Sequence, residues 1–359
     1  MRPGPEATIY LRRVLPRWYR GARRDLPWRR NTDPYRILVS EAMLQQTRVA
    51  AVIPYYERFL AAFPDPASLA AAAPDKVLSL WAGLGYYRRA RHLKKAAERI
   101  TSVHGGRVPD REEDLLALPG VGRYTAGAVL SIAFGRPAPV LDGNVFRVLS
   151  RFFALPGSWS RAPDRERYWR IAEGLVPARR PGDWNQALME WGALVCVPRS
   201  PDCARCPVRR RCRALRLGRV DRHPEPRERR PARKVRLDAV LHVDPKGRLL
   251  LERRAPGTRM EGLWELPAEP VPGAPEPRSV GSFRHAVLDE AYTVDLYVVR
   301  TAQSAPAGPS RRWVAREELA GYGLTGMARK GIALADREGA AGERGKGAKR
   351  GASGGKGKV

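Results

Sequence analysis

The chain has 359 residues, 43% of them hydrophobic, and carries 66 Lys and Arg against 37 Asp and Glu, a formal net charge of +29. That is enough chain and apolar content for two ordinary cores, and so large an excess of positive charge repels itself unless a polyanion neutralises it, which makes nucleic acid the leading partner. No run of about 18 apolar residues is present and the N-terminus lacks a secretory signal, so no membrane span is expected and the expected setting is cytoplasmic, nucleoid-associated in a bacterium. A GC-rich genome also inflates Arg, but the placement is not scattered: residues 205–236 hold fourteen Lys and Arg and three Asp and Glu.

Residues 6–212 read as helices, with almost no strand-like alternation. In TDPYRILVSEAMLQQTRVAAV, residues 32–52, Asp33 can cap, Pro34 stands at the first helical position, and apolar residues then recur at helical spacing. Pro54 opens a second helix, PYYERFLAAF. Asp110 and Glu113 match capping-box spacing before LLAL, and Asp183 can cap WNQALMEWGALVC. Gly83, Gly85, Gly105, Gly120 and Gly135 punctuate helix ends.

Past Arg213 the texture changes. Residues 213–234, rich in Arg and Pro, fit an exposed basic linker. From Val235 to about Trp313 the period shifts towards two, in VRLDAVLHV, an Asp-Pro-Lys-Gly turn, RLLLERR and YTVDLYVV. Closing helices fit residues 313–333, and the Gly-, Ala-, Lys- and Arg-rich tail 334–359 has no apolar periodicity and is expected to be disordered.

Four groups of residues carry chemistry. Glu41 lies four residues after Ile37 and three before Leu44, on the apolar face of its helix, where burial would keep it protonated as a general acid requires; a paired structural carboxylate is the competing reading. In LPGVGRYTAGAV, residues 118–129, Gly120 and Gly122 allow a tight turn that brings amide N–H groups to an anion, although a plain helix-to-helix turn has the same pattern. Asp142, in VLDGNVFRV, immediately precedes a helix and can serve as its N-cap, a role that leaves its carboxylate fixed in place. Cys196, Cys203, Cys206 and Cys212 follow C-x6-C-x2-C-x5-C. A tight cluster suggests a metal centre; zinc more often takes two C-x-x-C hooks, whereas only one is present, which favours an iron–sulfur cluster.

The cysteine spacing after ALMEWGALVC, together with SEAMLQQT, the 118–129 string and VLDGNVFRV, resembles the endonuclease III (helix–hairpin–helix) superfamily and, within it, the adenine DNA glycosylases. The resemblance covers roughly residues 10–330. It implies a mainly α region, 1–212, with a helix–hairpin–helix glycosylase fold and a [4Fe-4S] cluster on the four cysteines, then an α+β Nudix-like domain, 235–333. By the same resemblance Glu41 protonates the adenine ring nitrogen and later helps to activate water, and Asp142 stabilises the oxocarbenium-like sugar. Tyr124 stands where bifunctional members carry a Schiff-base lysine, which implies monofunctional chemistry unless Lys94 or Lys95 substitutes. Trp28, Arg29, Leu44 and Gln186 are placed around the base pocket, and Gln46, Thr47, Leu84 and Tyr86 fill the vacated stack once the base is extruded.

RRAPGTRMEGLWELP, residues 253–267, resembles part of the Nudix-like lesion-recognition domain, but the Glu-rich metal helix of Nudix hydrolases is missing, so nucleotide hydrolysis is not expected. Phe283 and His285 match that domain's Phe-Ser-His loop, with Arg284 in place of serine. The implied partner is double-stranded DNA with an A:8-oxoguanine or A:G mispair, bound by a monomer. The rivals are a bifunctional glycosylase/lyase on oxidised pyrimidines and a non-catalytic Fe–S DNA-binding module.

Overall fold

The computed structural model describes residues 4–226, 231–287, 289–302, 308 and 310–344. By contacts the chain divides into two compact units, Met1–Ala72 with Arg88–Arg229, and Ala73–Tyr87 with Arg230–Val359.

The first unit is helical: α1 Pro5–Ala22, α2 Pro34–Leu44, α3 Val49–Ala62 and α4 Pro66–Ala71, and, after α5 (Pro74–Trp81) of the other unit, α6 Arg88–Val103, α7 Glu112–Leu116, α8 Arg123–Ile132, α9 Gly143–Phe153, α10 Ala162–Leu175, α11 Pro181–Leu194 and α12 Arg213–Arg216. Proline at the first position starts α1, α2, α4 and α11, where its missing N–H costs nothing. Asp33 caps α2 as expected, accepting the Arg36 N–H at 3.0 Å. Helix α9 is almost wholly buried, and with α1, α10 and α11 it forms a core around Leu11, Leu15, Phe146, Leu149, Trp184 and Trp191. Phe146 stacks on Tyr168 with ring centroids 3.9 Å apart.

Four local expectations are corrected. Helix α3 starts at Val49, not at Pro54, which lies inside it. Its buried face, Val52, Tyr56 and Phe59, runs through the proline, and that burial outweighs one lost backbone bond. Helix α7 has Arg111 at its N-cap with no side-chain cap, because the Asp110 carboxylate is taken by Arg136. Helix α11 begins two residues before Asp183, which lies in its first turn and pairs with Arg180. Most of the expected linker is packed: Ala214 is fully buried, and Arg151 Nε donates to the carbonyls of Val220 (3.2 Å) and His223 (2.9 Å). Residues 227–230 of that linker lie outside the described residues.

The second unit is α+β. Strands β1 Arg233–Val243, β2 Leu249–Arg253, β3 Trp264–Glu265, β4 Arg278–Val287, β5 Glu290–Arg300 and β6 Arg311–Val314 form one mixed sheet ordered β3-β2-β1-β5-β4, with β6 also on β2. β1 and β5 run parallel from Arg233↔Glu290 to Val243↔Arg300. The Asp244–Gly247 turn forms as the sequence predicts, with Asp244 Oδ1 accepting the N–H groups of Lys246 (3.0 Å) and Arg248 (2.8 Å). Helix α13, Gly326–Arg344, packs on β4, β1 and β3. It continues eleven residues into the tail expected to be disordered: Ala328 and Ile332 are buried, Leu334 and Ala335 pack on the sheet core, and Arg316 pairs with Asp336. The residues that follow include Gly339 and Gly342 among Ala, Glu and Arg, so the helix there extends from its anchored part more than from local propensity. Residues 345–359 lie outside the described residues.

Candidate functional site

Three helices of the first unit bring their polar side chains into one buried place. Glu41 comes from the middle of α2 and is 5% exposed, with Oε2 buried and without a hydrogen-bond partner. Burial lifts its carboxyl from 4.5 to about 7; a hydrogen bond with Tyr124 opposes the rise, the negative Asp142 adds to it, and the Arg29 charge opposes it. Tyr124 sits in the first turn of α8, and its hydroxyl also reaches Met189 Sδ at 3.1 Å. Burial, and then the charges of Glu41 and Asp142, push this phenol well above its usual range, so it stays neutral.

Asp142 is held by the start of α9. Its Oδ1 accepts the Val145 N–H at 2.7 Å and its Oδ2 the Asn144 side-chain amide at 3.0 Å. Burial raises its pKa, while these donors and Arg147 pull the other way. It is therefore a cap and a fixed carboxylate at once, at the positive end of a helix. A neutral acid and an anchored second carboxyl in one buried site suit protonation of a leaving group and stabilisation of a nearby developing cation.

Arg29, in the 3-10 turn Pro27–Arg29, is held by a residue that the sequence reading missed. Glu190, on α11 and 1% exposed at its side chain, takes both Arg29 (Nη1 3.0 Å, Nη2 2.9 Å) and Arg24 (Nε 2.9 Å, Nη2 2.6 Å). Burial alone would raise its pKa, but the two guanidinium groups hold it at about 2. Gln186, one turn earlier, accepts from Tyr19 at 3.1 Å, and Trp28 is buried edge-on to Tyr56 with centroids 5.3 Å apart. Leu44 is half-buried at the end of α2, followed by exposed Gln46 and half-buried Thr47.

The hairpin between α7 and α8 depends on Gly120. Its φ is +80°, and a Cβ there would stand 2.6 Å from His92 Cβ. Gly122 is different: at φ −107° it needs no glycine conformation, and open space surrounds the position of its missing Cβ. Gly120→Ala is expected to cost about 2–4 kcal/mol from left-handed strain plus overpacking, read as a lower denaturant midpoint at unchanged m.

The four cysteines come together. Cys196 and Cys212 are buried, Cys203 and Cys206 are partly buried, and all four line one cavity with Arg151, Trp191, Leu215 and Val220. Among the described residues no group of three or more His, Cys, Asp and Glu is arranged to hold a single metal ion. Four thiols around a shared cavity are a donor set of the kind a thiolate-ligated metal centre uses. Arg147 and Arg151, four residues apart on α9, were also missed. Arg147 donates to the carbonyls of Cys196 (Nε, 2.9 Å) and Gly192 (2.9 Å), and Arg151 to those of Val197 (2.7 Å) and Pro198 (2.9 Å), with Nη1 3.5 Å from Cys196 Sγ. The signal was present in NVFRVLSRFF: two arginines at helical spacing on an otherwise apolar helix.

Leu84, Tyr86, Phe283 and His285 belong to the second unit. Leu84 is buried, whereas Tyr86 is 45% exposed at φ +49°. Phe283 and His285, matched above to a loop, lie instead within β4, paired with Val294 and Tyr292 of β5; Phe283 packs against the sheet core and the His285 ring against Gly326, with burial lowering the imidazole pKa. Lys94, a possible substitute amine, is tied to the Ala70 carbonyl (2.9 Å) and Glu98 (2.6 Å).

Residues 39–173 match the family described as HhH-GPD superfamily base excision DNA repair protein. The chain is similar to a thermostable thymine-DNA glycosylase of known structure, at 32% identity and a TM-score of 0.53 over 58% of this chain and 96% of that one. It belongs to the HhH-GPD superfamily of base excision DNA repair proteins. Among curated relatives it is 47% identical to the adenine DNA glycosylase of Homo sapiens over 218 residues, 58% of this chain and 40% of that protein. It is 38% identical to the adenine DNA glycosylase of Buchnera aphidicola subsp. Acyrthosiphon pisum over 216 residues, 60% of this chain and 62% of that protein. The chain thus spans about half the length of the curated relatives it matches. Among the described residues no helix is long and apolar enough to cross a membrane.

Proposed function

We propose that the chain is a monofunctional adenine DNA glycosylase that removes adenine opposite 8-oxoguanine or guanine from double-stranded DNA. The observation that carries this reading is the buried Glu41 carboxyl, held near pKa 7 beside Asp142 and Tyr124 with one oxygen unpartnered. Adenine swung out of the stack brings a ring nitrogen to that oxygen, and protonation makes the base a leaving group. As the N-glycosidic bond lengthens, positive charge grows on the sugar and the anchored Asp142 carboxylate stabilises it. Glu41, now ionised, takes a proton from the attacking water. Tyr124 offers no amine, so no covalent sugar adduct forms and the strand stays intact.

Cys196, Cys203, Cys206 and Cys212 would hold a [4Fe-4S] cluster, whose contribution is to fix the arginine-rich 205–213 segment towards the phosphates. The second unit reads as a Nudix-like domain for the base opposite adenine, met at the stretch of β4 that carries Phe283, Arg284 and His285. Packing of Ala214, Val220 and His223 extends the glycosylase domain from residue 212 to about 226, and the recognition domain follows from β1 at Arg233. The protein works as a monomer in the compartment that holds the DNA.

The test is excision from duplexes with A opposite 8-oxoguanine, G, C and T, read with and without alkali. Alkali-dependent cleavage confined to the first two supports the reading. Strand cleavage without alkali, with a borohydride-trapped adduct, favours the lyase alternative, and no abasic site on any duplex sinks the enzyme reading. Visible absorption bleached by dithionite, with about four irons per chain, tests the cluster. A colourless, zinc-loaded protein would refute it.

A further inference from the structure

Helix α2 ends in a turn that its own residues do not favour. The Leu44 carbonyl accepts from the Thr47 N–H at 3.2 Å, Gln45 has φ −54° and ψ 112°, and Gln46 has φ +58°. These are the angles of a type II turn, whose third position ordinarily goes to glycine because a side chain there crowds the backbone. A side chain retained at such a position points to a use for it, and that of Gln46 is exposed.

Arg89, from α6, holds the turn in place. Its Nη1 donates to the carbonyls of Ala42 (2.9 Å), Met43 (2.7 Å) and Gln45 (2.6 Å), and Nη2 donates to Thr47 Oγ1 (3.1 Å). The first two are carbonyls that the end of α2 leaves without helical partners, where a cation also meets the negative end of the helix. Three residues further along α6, His92 packs beneath Gly120 closely enough to exclude a Cβ there. Gln45, Arg89, His92, Pro119 and Gly120 border one cavity. One face of α6 therefore sets both the Gln46 turn and the hairpin.

We propose that Arg89 is a positioning residue for base extrusion: it holds the Gln46 turn at a set offset from the Gly120 hairpin, so that a duplex seated on the hairpin meets the Gln46 side chain at its base stack. This rests on the reading of the chain as a base-extruding glycosylase. A flexible turn would still bind phosphate but would have to order itself during extrusion, and the rate would fall while affinity stayed the same.

The test is a double-mutant cycle of Arg89→Met, which keeps the stem and removes the four hydrogen bonds, with Gln46→Ala, which keeps the backbone geometry and removes the side chain. It is read on the holoprotein as duplex affinity, single-turnover adenine excision, and fluorescence of 2-aminopurine placed at the extruded position. Each single variant is expected to slow extrusion and excision by roughly tenfold or more, with duplex affinity within about threefold, and the double variant to be no slower than the slower single, a coupling within the range for interacting residues. Arg89→Lys, which can replace some of the hydrogen bonds, should recover part of the rate. Wild-type rates in Arg89→Met, or losses that multiply in the double variant, overturn the proposal. A wild type that extrudes but does not excise sinks the adenine reading alone, since the fluorescence cycle still decides on Arg89; one that does neither overturns both.

Discussion

Glu41→Gln is expected to leave duplex binding intact and to slow adenine removal by roughly 10²–10⁴-fold, the usual range for a lost general acid. Glutamine matches the shape of the carboxyl but has no proton to give. Because the carboxyl sits at about 7, wild-type single-turnover excision should fall tenfold per pH unit above pH 7, and the variant's residual rate should not follow that limb. The same shift has a consequence for stability. A carboxyl raised from 4.5 to about 7 on folding leaves the folded state holding more protons than the unfolded state between those values, so its contribution to stability falls as pH rises from about 4.5 to about 7. Glu41→Gln should therefore flatten the pH–stability curve and gain on the order of 3 kcal/mol relative to wild type at pH 8. Denaturant titrations at pH 5 and pH 8 read this directly, and a variant that is no more stable at pH 8 would show that Glu41 ionises freely in the fold.

Glu190→Ala is expected to destabilise the first unit by about 3–5 kcal/mol, because it leaves Arg29, 14% exposed at its side chain, without its bidentate partner. Two guanidinium groups share one carboxylate here, and the Arg24 carbonyl that Arg29 Nη1 also reaches, at 3.3 Å, carries no charge to replace it. The substitution should also act on chemistry. With Glu190 gone, the Arg29 charge bears uncompensated on Glu41 and lowers its pKa, so the alkaline limb of excision should move to lower pH. Stability measured by denaturant, and the position of that limb, check the two halves separately. A loss under about 1 kcal/mol would mean that water serves Arg29 as well as Glu190 does.

The residue strings said much about this site because its chemistry needs unusual residues in short runs. A carboxylate on an apolar stripe, as at Glu41, is conspicuous wherever helical spacing can be followed. Four cysteines within seventeen residues need no tertiary structure to be recognised as one constellation. The helical character of the first unit and the period-two texture of the second were legible for the same local reason. The misreadings were local too: Asp110 and Asp183 look like caps until Arg136 and Arg180 take their carboxylates, and the basic run 213–226 looks like a linker until Arg151 is found bonded beneath it.

The sequence by itself determined which side chains could protonate a base, stabilise a cation or hold a metal, since those capacities belong to residue types and to spacing along a helix. Only the tertiary structure decided that Glu41, Tyr124 and Asp142 share one buried place, that Glu190 restrains Arg29, and that Arg89 grips the Gln46 turn from a helix more than forty residues away. The reason is physical: a pKa and a buried ion pair depend on what surrounds a charge in three dimensions, and those neighbours come from parts of the chain whose separation in sequence carries no sign of their meeting.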